Sequence, residues 1–279
     1  VGNLEEFLEM PALPEAAKRA DIGNTDVELK NVHFSYTGNE KDEVLHGIHL
    51  KLPAGSFTAL VGPSGGGKST VAKLIARFWD VTAGEITIGG VNIKDIPLAQ
   101  LSETVSFVTQ DNFLFRCSLL ENIRLGKPDA TDEEVRAAAR AAQCETFIEK
   151  LPQGYDTPAG EAGKRLSGGE KQRIAIARMI LKDTPIVILD EATAFTDPEN
   201  EDKIQRSLAE LIRGKTLLVI AHRLSTIQHA DNIVVLKGGR IEAEGSQEAL
   251  LAGCPLYRDM WQAHIGAKNW AVSAAKQEG

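Results

Sequence analysis

The stretch "GPSGGGKST", Gly62 to Thr70, decides the fold of this 279-residue chain. It fits the pattern GxxxxGK[ST], follows the apolar run "FTALVG" and precedes the helical pattern "STVAKLIARF". Glycines let successive backbone N–H groups turn toward phosphate oxygens, and the helix that follows adds the positive end of its dipole. This strand–loop–helix context predicts a phosphate-binding loop and disfavours the alternative, a glycine-rich turn without a ligand.

Each residue of the phosphate loop has a predicted role. Lys68 supplies a point charge to the β and γ phosphates, and Ser69 is placed to bind Mg²⁺. The remaining loop residues are predicted to line the nucleotide site: Gly62, Pro63, Ser64, Gly65, Gly66, Gly67 and Thr70.

A second apolar run, "IVILDEAT", ends in the carboxylates Asp190 and Glu191. A strand ending there delivers both carboxylates to the sheet edge where the phosphates would lie. Asp190 is then able to hold Mg²⁺ through water, and Glu191 to polarise an attacking water as general base. The alternative is an acidic pair that merely ends a strand at the surface.

The stretch "RLSGGEKQR", Arg165 to Arg173, places two glycines at the predicted start of a helix. Ser167 and Glu170 have the spacing of a capping box, so a well-capped helix is a sufficient structural explanation. A cap alone does not require Gly168 and Gly169, which each lower helix propensity by roughly 1 kcal/mol relative to Ala. Bare backbone at this position is what a second anion site would need.

Hydrophobic patterning predicts an α/β fold. Three continuous apolar runs, at 57–62, 185–190 and 216–222, indicate parallel strands buried on both faces. The segments "VELKNVHFSY" and "HGIHLKLPAG" alternate instead, which favours an antiparallel sheet with Val32, Phe34 and Tyr36 on one face.

Helical signals fill the region between the strands. The Ala-rich segment "TDEEVRAAARAAQCETFIEKL" has Thr131 placed as its cap and Glu134 three residues later, within a mainly helical insert. Near the start of the chain, "LEEFLEM" predicts a short amphipathic helix before a linker. The predicted organisation is a helix and linker at 1–25, a core that carries the phosphate loop and has an antiparallel β subdomain at 26–111 and 181–250, a helical subdomain at 112–180 and a helical tail at 251–279.

Composition is that of an ordinary globular protein, with 43% hydrophobic and 25% charged residues. The net charge of -8 offers no general attraction to nucleic acid or to an anionic membrane surface. No apolar run approaches the ~18 residues of a membrane-spanning helix, and no signal peptide opens the chain. We therefore expect a soluble polypeptide that faces the cytosol, with no nucleic-acid partner and no direct lipid binding.

The motif "LSGGEKQR" resembles the signature motif of ABC-type ATPases. The motifs "GPSGGGKST", "VTQD", "ILDEAT" and "IAHRLST" stand in that family's order, and the five together cover roughly residues 30 to 245. The resemblance implies a P-loop NTPase (RecA-like) core with ATP and Mg²⁺ as cofactors. It further implies a head-to-tail dimer, in which each ATP lies between the phosphate loop of one subunit and Ser167, Gly168 and Gly169 of the other.

The same resemblance assigns three more residues. Tyr36 is similar to the aromatic residue that stacks on adenine, although a strand aromatic in the core is an equal alternative from the sequence alone. Gln110 resembles the residue that senses Mg²⁺ and the attacking water beside the membrane-domain contact, to which "NFLF" (112–115) adds apolar surface. His222 resembles the histidine that contacts the γ phosphate and orients the catalytic water with Glu191.

Other segments resemble exporter-type half-transporters. These are "GYDTPAGEAGKRLSGG", which puts Glu161 near the membrane-domain contact, and "LEEFLEMPALPE", which is similar to the linker after the last membrane helix. Together with Val1 in place of Met, this predicts an excised nucleotide-binding domain at the cytoplasmic face of the cell membrane. One stretch departs from the family pattern, at Ala194-Phe195-Thr196-Asp197, which leaves communication between the two ATP sites open. The surrounding "ATAFTDPENE" resembles iron- and siderophore-linked members.

The predicted function is an ATPase that powers a membrane transporter, with a second nucleotide-binding domain and the transporter's membrane domain as partners. One alternative is a soluble ABC-type ATPase of DNA repair or translation, but such proteins usually carry paired cassettes, coiled-coil insertions or basic surfaces, which this acidic single cassette lacks. A second alternative is a regulator that does not hydrolyse nucleotide. Lys68, Glu191 and His222, all in place, argue against it.

Overall fold

The computed structural model describes residues 12–108, 114–191 and 198–277, and it describes no side chains at 161–162, 198–201 and 267–277. The strands are β1 (Val27–Ser35), β2 (Glu43–Leu52), β3 (Phe57–Val61), β4 (Ala83–Ile88), β5 (Val91–Asn92), β6 (Val105–Val108), β7 (Ile186–Asp190), β8 (Thr216–Ile220), β9 (Asn232–Lys237) and β10 (Arg240–Gly245). The helices are α1 (Lys68–Ile75), α2 (Leu98–Thr104), α3 (Leu119–Arg124), α4 (Asp132–Ala141), α5 (Glu145–Ile148), α6 (Ala159–Arg165), α7 (Gly168–Lys182), α8 (Pro198–Ile212), α9 (Gln247–Gly253) and α10 (Pro255–Gln277). Short 3₁₀ turns lie at Glu40–Asp42, Ile93–Asp95, Gly154–Asp156 and Leu224–Thr226.

A six-stranded sheet forms the centre of the molecule, in the order β10-β9-β3-β8-β7-β6. The strands from β9 to β6 run parallel, and β10 pairs antiparallel to β9. The three continuous apolar runs of the sequence become β3, β7 and β8, which are neighbours in this sheet. The prediction of buried parallel strands is therefore confirmed.

Both faces of the central sheet are buried, each in its own hydrophobic cluster. On β7, Val187 belongs to the cluster that contains residues of α3, α4, α5 and α7, and Ile188 to the cluster that contains residues of α1 and the smaller sheet. Leu217 and Leu218 on β8 divide in the same way. Successive strand residues point to opposite faces, so burial on both sides explains why these runs are apolar without alternation.

The alternating segments form a second, antiparallel sheet, in the order β2-β1-β4-β5. The pairing of β1 with β2 shifts by one residue between Leu29 and Val32, where Asn31 has φ 47°. This bulge keeps both Leu29 and Val32 buried although they are three residues apart. Phe34 is buried as well, whereas Tyr36 follows the strand and is half exposed.

Helices α3 to α7 occupy the region between β6 and β7. Thr131 and Glu134 form the predicted capping box at the start of α4, and Ser167 and Glu170 form the one at the start of α7. The Ala-rich segment is not one helix, because α4 ends before Gln143, which has φ 61°, and α5 follows separately. The boundaries of the predicted subdomains stay a prediction.

The described part of the linker, from residue 12 onward, has neither helix nor strand. Val1, the predicted helix in "LEEFLEM" and Pro11 lie outside the described residues. Among the helices of the described residues, none combines the length and the apolar character needed to cross a membrane.

Candidate active site

Strand β9 lies against the phosphate loop and sets its shape. Gly62 follows β3 with φ 145°, and a Cβ atom there would lie 1.9 Å from the carbonyl oxygen of Leu236. At Gly66 a Cβ atom would lie 2.9 Å from the same oxygen. The N–H group of Gly239 donates to the carbonyl of Gly66 at 3.1 Å. Both glycines are therefore required by close approach of backbone from the far end of the chain.

Helix α1 begins at the end of this loop without a side-chain cap. Its N-cap is Gly67, which has φ 97°. A glycine has no side chain that could accept a hydrogen bond from the first N–H groups of the helix. The first N–H groups of a helix have no partner within it, and the helix dipole puts positive partial charge at this end. The start of α1 is consequently suited to bind an anion.

Lys68 points back into the loop. Its Nζ atom donates to the carbonyl oxygen of Gly62 at 2.5 Å, and its side chain is buried. Burial lowers the pKa of Lys68, and the nearby negative charge of Asp190 opposes that shift. The structure thus places the lysine charge between the glycine loop and the carboxylate of β7.

The edge of the central sheet brings together residues from two neighbouring strands. Asp190 is the last residue of β7, and the N–H group of Glu191 donates to the carbonyl of Ile220 on β8 at 3.0 Å. His222 follows β8, and its Nε2 atom lies 3.4 Å from Oδ1 of Asp190. Lys68, Asp190 and His222, which the sequence predicted separately, are therefore neighbours at one edge.

Glu191 lies in a partly desolvated position beside the turn that follows β8. The hydroxyl oxygen of Thr226 lies 2.8 and 3.1 Å from the two oxygens of its carboxylate. Burial raises the pKa of Glu191, and hydrogen bonds from Thr226 and from the backbone of Arg223 and His222 oppose the shift. A carboxylate with a raised pKa is suited to act as a general base.

Sequence reasoning gave Thr226 no role. It stands within the motif "IAHRLST", but only the 3₁₀ turn Leu224–Thr226 brings its hydroxyl to a carboxylate 35 residues earlier. The motif was therefore the available signal, and the contact itself depends on the fold.

Tyr36 extends from the end of β1 toward the phosphate loop. Its hydroxyl lies 2.9 Å from the hydroxyl of Thr70, and its ring packs edge-on against Trp79 with centroids 5.1 Å apart. Half of the residue is exposed, so the alternative that Tyr36 is simply a core aromatic does not hold. An exposed ring beside the loop is compatible with the predicted adenine contact, which remains a prediction.

The second predicted anion site lies at the start of α7. Ser167 accepts a hydrogen bond from the N–H group of Glu170 at 3.1 Å and donates its own N–H to the Glu170 carboxylate at 2.9 Å. A Cβ atom added to Gly168 would meet no atom within 4 Å. Neither packing nor a left-handed backbone explains the glycine at this position, and both Ser167 and Gly168 are exposed.

Several predicted positions cannot be placed. Gln110 and the departure at 194–197 lie outside the described residues, as do Asn112 and Phe113, and the side chain of Glu161 is not described. Phe115 is described and half exposed, with the Arg178 guanidinium over its ring at 5.6 Å. The roles assigned to these positions stay predictions.

The phosphate loop, the carboxylates at the sheet edge and the capped start of α7 all fall in one stretch of sequence that matches a known family. The sequence model described as ABC transporter matches residues 45–194. The chain belongs to the ABC transporter family. Domains of this family bind and hydrolyse ATP, as the motifs predicted.

Curated relatives of this ABC domain are transport proteins. It is 53% identical over 257 residues to a mycobactin import ATP-binding/permease protein of Mycolicibacterium smegmatis. The aligned residues make up 92% of this chain and 29% of the relative. It is 50% identical to an ATP-dependent lipid A-core flippase of Desulfotalea psychrophila, over 87% of this chain and 42% of the flippase. A putative multidrug export ATP-binding/permease protein of Bacillus subtilis is 49% identical over 85% of this chain and 41% of its own length.

A solved structure agrees with the fold of the ABC domain. The structure of a bacterial Atm1-family ABC exporter with ATP bound matches with a TM-score of 0.83 and 40% identity, over 94% of this chain and 46% of that one. The predicted P-loop NTPase fold is thereby confirmed. The chain spans less than half the length of each of these relatives.

The oxygen atoms present at the site of the ABC domain fit a nucleotide-bound Mg²⁺ ion. Within the described residues, no group of three or more His, Cys, Asp or Glu side chains forms a metal cage. Mg²⁺ is usually held by one or two protein oxygens together with substrate phosphates and water. The exposed hydroxyl of Ser69 and the carboxylate of Asp190 are oxygens of that kind.

Proposed function

We propose that this chain is the ATP-hydrolysing domain of an exporter-type ABC half-transporter, which it powers by ATP-driven head-to-tail dimerisation. The observation that carries the proposal is the convergence of Lys68, Asp190 and His222 beside the uncapped start of α1, with Glu191 held next to them. Membership of the ABC transporter family gives that convergence its chemistry.

Different residues of the proposed site bind the phosphates, the metal and the adenine. ATP with Mg²⁺ supplies the phosphoryl bond whose cleavage drives the cycle. In the proposal, the N–H groups at the start of α1 and the ammonium of Lys68 hold the phosphates, while Ser69, Asp190 and Gln110 hold the metal. Tyr36 offers its exposed ring to the adenine.

Glu191 is the general base of the proposed reaction. Its carboxylate accepts a proton from the attacking water, and His222 orients that water. Burial raises the pKa of Glu191, which strengthens its affinity for the proton. The hydrogen bond from Thr226 fixes the direction in which the carboxylate points.

Ser167, Gly168 and Gly169 complete the site of a second chain. Gly168 is exposed and has no packing role, so bare backbone at the start of α7 is available to an external anion. A head-to-tail pair places this helix end opposite the phosphate loop of its partner, and both ATP sites become composite.

We extend the proposal to the membrane domain of the transporter and to the transported substrate. The domain acts at the cytoplasmic face of the cell membrane, and the membrane domain determines specificity. We propose a small molecule of the siderophore type as substrate, since the relative with 53% identity is named for mycobactin import. Relatives of similar identity are named for lipid A-core and for multidrug export, so stimulation of ATPase activity by a ferric siderophore in the complete transporter is the deciding measurement.

The direct test replaces Glu191 with Gln. Glu191→Gln should bind ATP with near wild-type affinity and lose about 10² to 10⁴ in kcat, the usual contribution of a general base. Steady-state phosphate release and equilibrium nucleotide binding measure the two effects separately.

Glu242→Gln provides the matched control, because Glu242 is an exposed carboxylate on the edge strand β10. This variant should retain wild-type turnover. Undiminished turnover in Glu191→Gln would refute the assignment of the base, and failure of the wild-type chain to hydrolyse ATP would refute the function.

The DNA-repair or translation alternative has no support among these relatives, which are named as transport proteins. The non-hydrolysing regulator is tested by the same assay, since it predicts binding without turnover in the wild-type chain.

A further inference from the structure

A buried arginine joins the linker to the end of the phosphate-loop helix. The side chain of Arg77 has no exposed surface and makes two hydrogen bonds to the Asp80 carboxylate, at 2.7 and 3.3 Å. Its Nη2 atom also donates to the carbonyl oxygen of Pro14 at 2.5 Å, 63 residues earlier in the chain. One planar guanidinium therefore holds both its own turn and the linker.

The backbone at Arg77 is held in an unusual conformation. It has φ 57°, and its N–H group donates to the carbonyl of Leu74 at 3.0 Å, just beyond the end of α1 at Ile75. A long side chain in the left-handed region costs free energy and persists only where surrounding contacts impose it. The bonds to Asp80 and Pro14 are such contacts.

The turn formed by residues 77–80, here called the RFWD turn, also touches the nucleotide side of the site. Trp79 packs edge-on against Tyr36, and Tyr36 is hydrogen-bonded to Thr70 in the phosphate loop. A path therefore runs from Pro14 to Arg77 by a hydrogen bond, from Arg77 to Trp79 along the chain, and from Trp79 to Tyr36 by ring contact.

The rest of the linker is held by few polar contacts. Gln100 forms a pair of hydrogen bonds with the backbone of Ala20, both 2.8 Å long. Arg19 pairs with Glu103 at 3.0 Å, but both side chains are more than half exposed, so this ion pair adds little. Among the polar contacts of linker residues 12–25, the bond from Arg77 is the one that reaches the end of the phosphate-loop helix.

We propose that Arg77 is a positioning residue that couples the linker, residues 12–25, to the nucleotide site through the RFWD turn. Docking of the linker fixes Arg77, which fixes Trp79 and the ring of Tyr36. By linkage, nucleotide binding stabilises the docked linker to the same degree that the docked linker favours nucleotide. The inference rests on the proposed function, because it takes Tyr36 as part of the ATP site.

Trypsin offers a direct probe of the linker, since Lys18 and Arg19 are exposed within it. In the wild-type chain, a non-hydrolysable ATP analogue should slow cleavage at these two residues by about fivefold or more, the lower end of typical coupling. Mass spectrometry of the early fragments measures the rate at each residue.

Arg77→Lys keeps a positive charge for Asp80 but lacks the fork that reaches Asp80 and Pro14 together. Cleavage at Lys18 and Arg19 should be faster, the analogue should no longer protect them, and its Kd should rise by the factor by which it protected the wild-type linker. Turnover at saturating ATP should change little, so the effect appears in KM and not in kcat.

Glu103→Gln is the matched control, because it removes the exposed ion pair of the same linker and leaves Arg77 and the cleavage sites intact. Wild-type protection and Kd are expected in this variant. Should Arg77→Lys fail to fold, Trp79→Leu tests the same path from its other end and should abolish protection of the linker.

Two results would overturn the coupling while leaving the proposed function in place. The first is a wild-type chain that hydrolyses ATP but whose linker gains no protection from the analogue. The second is faster cleavage in Arg77→Lys with an unchanged Kd, which would reduce Arg77 to an anchor for the linker. A wild-type chain that binds no nucleotide would instead refute the function on which the inference rests.

Discussion

The carboxylate of Glu43, the first residue of β2, contacts two imidazoles. One belongs to His33 on β1 and the other to His46 on β2. His33 Nδ1 lies 2.6 Å and His46 Nδ1 lies 3.0 Å from the same oxygen, Oε1. The hydrogen bond with His33 is the main cause of a lowered pKa at Glu43, and the bond with His46 acts in the same direction against the effect of burial. His33 and His46 are register partners on β1 and β2, so the carboxylate joins the two strands.

Glu43→Gln should therefore lower the free energy of unfolding in a pH-dependent way. The folded-state pKa of Glu43 lies below its ordinary value of 4.5. Its contribution is thus fully present above that value and is lost as pH falls through the folded-state pKa. The difference between wild type and Glu43→Gln should shrink as pH falls toward 4.5 and should continue to shrink below it, as measured by urea unfolding.

Glu28→Gln serves as control in the same pair of strands, because Glu28 on β1 lies 3.9 Å from Lys51 on β2 in a looser ion pair. Its unfolding free energy should follow the wild-type pH dependence closely. A pH-independent difference between wild type and Glu43→Gln would show that the carboxylate charge does not stabilise the strands.

Residues whose roles come from local sequence were the ones that could be predicted. Lys68 and Ser69 stand at fixed offsets within one motif, and Asp190 ends a recognisable strand. Thr226 and Arg77 could not be assigned in this way, because each acts on a group at least 35 residues away in the sequence. Such contacts exist only once the whole chain has folded.

At the level of elements, caps were predictable and helix ends less so. The capping boxes of α4 and α7 follow from four-residue patterns. The end of α4 does not, because buried Arg173 on α7 donates to the carbonyl of Gln143 at 2.6 Å, where the chain takes a left-handed turn. Tertiary contact thus divides an Ala-rich segment that helix propensity alone would continue.

The start of α7 allows a clean separation of fold from function. Gly168→Ala adds a Cβ atom in open space, so the melting temperature should be unchanged or slightly higher. Because that atom would stand where an anion of the second chain is expected, ATP-driven dimerisation and ATPase activity should fall. Calorimetry, sizing with ATP and phosphate release measure the three quantities.

Gly253→Ala at the end of α9 is the corresponding control, since a Cβ atom there also meets nothing within 4 Å. It should leave dimerisation and turnover at wild-type values. Equal ATPase activity in both variants would mean that Gly168 belongs to the helix and not to an anion site.

For the whole molecule, a mixing experiment tests whether two chains share their sites. Lys68→Ala should abolish nucleotide binding, and Gly168→Glu should block the site of the opposite chain with a negative charge. Each variant alone should be inactive, and an equimolar mixture should recover part of the ATPase activity, because the mixed pair has one complete site. Phosphate release over a range of mixing ratios measures the recovery.

The mixing experiment has its own control in the double variant Lys68→Ala/Gly168→Glu. Mixed with wild type, this chain forms pairs in which neither site is complete, so it should reduce activity. Mixtures of the two single variants that stay inactive at concentrations where wild-type chains pair would argue against sharing.

The general architecture was predictable, but its strand order was not. Continuous apolar runs indicated parallel strands because residues buried on both faces leave no alternation. The order β10-β9-β3-β8-β7-β6 depends on which strands pair across long crossovers, and hydrophobic patterns carry no such information. The ABC domain comparison supports this arrangement through a TM-score of 0.83.

The close approach of Leu236 to Gly62 has a consequence for how the protein is made. The phosphate loop reaches its final shape only against β9, which is synthesised roughly 170 residues later, and at ordinary ribosomal speed this is a delay of roughly 10 to 30 seconds. A nascent chain therefore carries the nucleotide motif long before it has a nucleotide site. Until β9 emerges, the growing polypeptide cannot use ATP as a folding ligand.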